Sequence, residues 1–129
     1  MKQFIFLLIV TCLLCSCSSD DSDTGLVGRW QLTEVLVDPG DGSGTFNPVN
    51  SNKTVTFNSN GTWSSNGTMC FISTESSNGT VGTYSETGLY LQSDSCSNPD
   101  WQIPFEQNGS TLIVSYFCIE GCQEKFIKR

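Results

Sequence analysis

The chain has 129 residues and a formal net charge of −7, from six Lys and Arg against 13 Asp and Glu. Such a surface repels nucleic-acid phosphates, which excludes nucleic acid as a partner. The absence of histidine removes Ser-His-Asp and Cys-His nucleophiles, His-containing zinc sites and imidazole acid–base catalysis.

In chain order, Met1-Lys2-Gln3 carries one positive charge ahead of an apolar run from Phe4 to Leu14. That run has the length of a signal-peptide core and falls short of the roughly 20 residues a spanning helix needs. Residues 1–16 are therefore read as a leader and set aside from the fold. Leu14-Cys15-Ser16-Cys17 resembles a bacterial lipobox, with a branched apolar residue, a variable one, a small one and then cysteine. Cys15 fits that pattern badly because Leu14 precedes it. The resemblance implies that the Cys17 thiol carries diacylglycerol, begins the mature chain and holds it to a membrane. Residues 17–25 are polar and acidic, as expected of a flexible tether. An acidic run after the lipidated cysteine also resembles the export signal of Bacteroidetes surface lipoproteins. It implies an outer-membrane lipoprotein of the cell envelope that faces the exterior.

Cleavage leaves residues 26–129 as one domain, large enough for a single core. The chain lacks alanine, the best helix former, while Ser, Thr, Asn and Gly abound. This composition suits strands joined by tight turns. Four cysteines remain after the signal and anchor, Cys70, Cys96, Cys118 and Cys122. An even number in an exported domain reads as two disulfides, with three possible connectivities. Cys118 and Cys122 bracket Ile119-Glu120-Gly121, the length of a three-residue hairpin loop with Gly in the left-handed position. Pairing across that hairpin, and Cys70 with Cys96, is the connectivity preferred here. A tetrathiolate metal site is disfavoured because the spacing is not that of a zinc ribbon.

The domain opens with a long strand from Leu26 to Val37, broken by Asp38-Pro39-Gly40-Asp41-Gly42. That loop resembles a calcium loop only superficially, since it holds too few acids. One strand face presents Trp30, Leu32, Glu34 and Leu36. Glu34 would be a polar handle inside a barrel if the alternation held, whereas a bulge would turn it to solvent. Phe46 to Val49 is ambiguous, and Lys53 to Phe57 turns through Asn60-Gly61 into Thr62-Trp63. Asn-Gly recurs at 66–67, 78–79 and 108–109, each a turn signal because both residues tolerate positive φ. Later strands are expected at 80–84, 89–92, 101–105, 111–117 and 123–128. About eight strands with short connections predict an all-β, antiparallel up-and-down barrel, either complete or flattened and partly open, or a sandwich.

Gly28-x-Trp30, Phe57 through Trp63, Gly82-Thr83-Tyr84 and the closing Glu124 through Arg129 resemble, in order, the lipocalin-like domains of Bacteroidetes lipoproteins. The resemblance implies that Gly28 and Trp30 close one end of the barrel and that Arg129 or Lys128 stacks on Trp30. It also implies a small apolar ligand in the barrel, with Glu34, Trp63 and Trp101 as candidate contacts. If Trp30, Phe57, Trp63, Tyr84, Tyr90 and Phe117 point inward, little cavity remains. The alternative is then a glycan- or protein-binding module with a filled core, in which an exposed Trp101 stacks on a sugar. Glu34, Glu86, Asp94, Asp100 and Glu106 show no spacing that singles out a catalytic pair. No enzyme, cofactor or metal is expected.

Overall fold

The computed structural model describes residues 25–129; the leader, Cys17 and residues 18–24 of the tether lie outside the described residues. Nine strands follow one another: β1 (Gly28–Val37), β2 (Asn47–Pro48), β3 (Thr54–Phe57), β4 (Thr62–Ser65), β5 (Val81–Ser85), β6 (Tyr90–Gln92), β7 (Ile103–Asn108), β8 (Thr111–Tyr116) and β9 (Cys122–Lys128). All pairings are antiparallel between neighbours, and β1 also pairs with β9 from Trp30↔Lys128 to Val37↔Cys122. Eight strands thus close a barrel, and β2 is an extra strand on the far half of β1. The barrel is fully closed rather than partly open, because β1 is long enough to pair with β3 along one edge and with β9 along the other.

Local chemistry explains why the strands form where they do. In β8, Leu112, Val114 and Tyr116 are buried while Thr111, Ile113 and Ser115 are half-exposed, the period-2 pattern of a strand covering a core. In β9 the inward set is Cys122, Glu124 and Phe126. Gly28 has φ +130°, a conformation that favours glycine, as β1 begins. Gly82 is required for space, since a Cβ there would stand 1.9 Å from the Gln92 carbonyl oxygen and 2.8 Å from the Trp63 ring.

The two ends of the barrel differ. At one end lie the turns at 58–61, 86–89 and 109–110, together with Gly25, where the described chain begins, and Arg129. Trp30 fills this end at 0% exposure, its indole N–H donating to the Leu26 carbonyl at 2.8 Å. The Lys128 ammonium stands 5.4 Å from the Trp30 ring centroid, a cation–π contact. Arg129 is exposed and offers its backbone N–H to the Arg29 carbonyl, so of the two expected partners Lys128 and not Arg129 takes the stacking role. At the other end, the mouth, lie the connections 38–53, 66–80, 93–102 and 117–121. Asn60-Gly61 and Asn108-Gly109 close hairpins, but Asn66-Gly67 and Asn78-Gly79 bracket the long β4–β5 connection instead.

Candidate functional site

The barrel interior is occupied by its own side chains. Trp30, Phe57, Trp63, Phe126, Leu32, Leu91, Ile103 and Leu112 are each under 2% exposed. Among them sits an ion pair: the Lys53 ammonium lies 2.8 Å from both Glu124 carboxylate oxygens, and both side chains are fully buried. Glu124 also accepts from the Ser73 backbone N–H at 2.8 Å and from the Tyr116 hydroxyl at 2.7 Å. Lys53 donates as well to the Ser73 carbonyl at 3.0 Å. Burial pushes the Glu124 carboxyl up from its ordinary value and the Lys53 ammonium down, with their mutual attraction opposing both shifts. Burial and the neighbouring Glu124 charge likewise raise the Tyr116 phenol well above its usual range.

Ser73 belongs to the β4–β5 connection, which folds back into the mouth as a plug. Met69 from this segment is 0% exposed, and its backbone N–H donates to the Thr80 hydroxyl at 3.0 Å. Ile72 packs on the core, and Ser51 donates to the Thr74 carbonyl at 2.6 Å. The Cys70–Cys96 disulfide, spanning 26 residues, ties the plug to the β6–β7 connection. The buried charges therefore hold the plug across the mouth end of the barrel axis.

What the plug leaves open is a groove of about 890 Å³ beside the Cys70–Cys96 bridge, within the size range of small-molecule sites. Phe71, Trp101 and Phe117 line it with 60%, 38% and 58% of their surfaces exposed. Trp101 and Phe117 face one another at 5.3 Å between ring centroids, inclined by 48°. Serine, threonine and asparagine side chains supply the polar lining, and Glu75 is its one charged group among the described residues.

No family model, curated protein or solved structure matches this chain. The chemistry of the groove and the closed barrel are therefore what a functional reading rests on.

The residues singled out from sequence separate in space. Trp101 lies in the groove, in the loop before β7 rather than in the strand. Trp63 is 1% exposed and donates its indole N–H to the Thr83 carbonyl at 2.8 Å, so it is part of the core and lies outside the groove. Glu34 is turned out by a bulge between Leu32 and Glu34, where it meets Lys125 at 2.6 Å. Val35 takes the inward place opposite Glu124. Phe117, counted among the inward rings, is exposed, and Tyr116 points inward in its stead. Both disulfides have the expected pairing, Cys70–Cys96 and Cys118–Cys122. The loop between β8 and β9 is longer than expected, residues 117–121, and Gly121 is not among the glycines with positive φ.

The Asp38 loop has its own explanation. Asp38 Oδ1 accepts backbone N–H groups from Gly40, Asp41 and Gly42 at 2.7–3.1 Å, and Oδ2 accepts from Gly44 at 2.9 Å. These bonds, led by the one from Gly40, hold the carboxyl below its ordinary range. The acid organises a turn, and among the described residues no group of His, Cys, Asp and Glu has metal-binding geometry. The Lys53–Glu124 pair and the plug are what sequence reasoning missed. The signals were a lysine leading a buried strand and a glutamate at an inward position of β9.

Proposed function

We propose that this protein is a non-catalytic binding module of the cell envelope, lipid-anchored through Cys17 and akin to the lipocalin-like lipoproteins. It takes its ligand on the aromatic groove at the barrel mouth and not along the barrel axis. The observation that carries this reading is the exposed Trp101–Phe117 pair set over a plugged interior. Aromatic faces left in water within a concave, half-polar site are suited to stacking against a flat or apolar surface of a small molecule. Polarity along the barrel agrees with an anchor. Gly25 lies at the end opposite the mouth, so a tether to Cys17 joins the barrel away from the groove. Several acyl chains, each CH₂ worth roughly 0.8 kcal/mol, would make the attachment durable.

Native mass spectrometry of protein purified from its own host tests the groove. A retained small molecule should disappear in Trp101→Ala and Phe117→Ala with the circular dichroism unchanged. A ligand retained equally by both variants would place binding elsewhere. Palmitate labelling tests the anchor: it should vanish in Cys17→Ser, and labelling that persists would refute the lipidation.

A further inference from the structure

We infer that the mouth groove selects organic ammonium ions, protonated or quaternary amines with an apolar body, seated on the Trp101 and Phe117 faces. The inference rests on the groove reading above and names its ligand class. Three exposed rings line the cavity, and the face of each carries the negative end of its quadrupole. A cation over such a face gains attraction that a neutral molecule of the same shape does not, and the tryptophan face is the best of the three.

The charges around the groove choose among occupants. Glu75 lies in its lining, and Asp41, Asp94, Asp100 and Glu120 are exposed on connections at the same end. Lys53 is the one cation of the described residues at this end, and it is buried against Glu124. The remaining cations of the described residues lie outside the groove: Arg29, Lys128 and Arg129 at the closed end, and Lys125 on the wall, held between Glu34 and the Phe46 ring. The exposed charges of the described residues around the groove are therefore acidic, which repels carboxylates and phosphates and raises the local concentration of cations. A neutral glycan would gain nothing from this field.

The test compares choline with 3,3-dimethylbutan-1-ol, which replaces the quaternary nitrogen by carbon and keeps the shape. The full chain in detergent is titrated at low ionic strength, with the Trp101 indole N–H resonance as the reporter. Trp30 and Trp63 are buried, so this signal is separable. The expected result is an affinity for choline about tenfold above that for the alcohol. Trp101→Leu, which keeps apolar bulk and removes the ring, should abolish the preference as read from Phe117 shifts. Glu75→Gln should reduce it several-fold. Equal affinity for the two probes overturns the cation assignment and leaves the groove reading standing. Silence of the Trp101 signal toward both also overturns it, and the groove reading is then decided separately by the host-purified protein and its Trp101→Ala and Phe117→Ala variants.

Discussion

Lys53 and Glu124 show how much a single buried pair can govern. Each is fully buried, and each would be intolerable there alone. Lys53→Met leaves Glu124 charged in the core and should cost about 3–5 kcal/mol in urea unfolding. The double variant Lys53→Met/Glu124→Leu should recover most of that loss, because well-packed apolar groups avoid the desolvation penalty. The pH dependence has a definite sign. Burial raises the folded-state pKa of Glu124 above its ordinary 4.5, so the folded protein binds that proton more tightly than the unfolded chain. The resulting stabilisation is complete below the unfolded pKa and is lost as pH rises through the folded one. Measured against Glu124→Gln, wild type should therefore be relatively less stable at neutral pH than at a pH below the ordinary carboxyl value. Equal urea midpoint differences at the two pH values would contradict the shift. Asp38 behaves oppositely, since its backbone bonds lower its pKa, but it is exposed and its contribution is screened.

Among the elements, the β4–β5 plug decides what the barrel can do. It is held by three different attachments: the Ser73 bonds to Lys53 and Glu124, burial of Met69, and the Cys70–Cys96 bridge. A disulfide closing a loop of this length restricts the unfolded chain by about 3–4 kcal/mol. Cys70→Ser/Cys96→Ser should thus lower stability by that order, as read from thermal unfolding. Hydrogen exchange should speed up first in residues 66–80 and 93–102, with the β1–β9 ladder still protected. Faster exchange spread evenly over the barrel would mean that the bridge supports the whole fold and not the plug. The bulge in β1 is the other decisive local event, since its extra residue exchanges Glu34 for Val35 on the inner face.

At the scale of the whole molecule, stability is unevenly distributed around the barrel. The long ladders join β1, β8 and β9, whereas β4, β5 and β6 are short and meet through two or three residue pairs each. Native-state hydrogen exchange should find the slowest amides in β1, β8 and β9 and the fastest strand amides in β6, with openings that begin on the β4–β6 side. Uniform protection around the ring would refute this. That weaker side also carries both connections joined by Cys70–Cys96, so the bridge reinforces the wall where the ladders are thinnest.

The sequence by itself determined the all-β class, the approximate strand count, the hairpins at Asn60-Gly61 and Asn108-Gly109 and the two disulfides. Each of these follows from interactions within a few residues, or from an even count of four cysteines in the folded part of the chain. Trp101 was also legible as an aromatic where a long loop meets a strand, although the structure leaves it in the loop. Only the tertiary structure decided that Glu34 faces out, that Trp63 is core, and that Phe117 and not Tyr116 reaches the groove. A strand's alternation gives two faces without saying which is inside, and one bulge reverses them. The meeting of Lys53 with Glu124 crosses 71 residues of chain and depends on closure of β1 onto β9. No local pattern encodes that closure, and with it come the plug, the filled axis and the groove at the mouth.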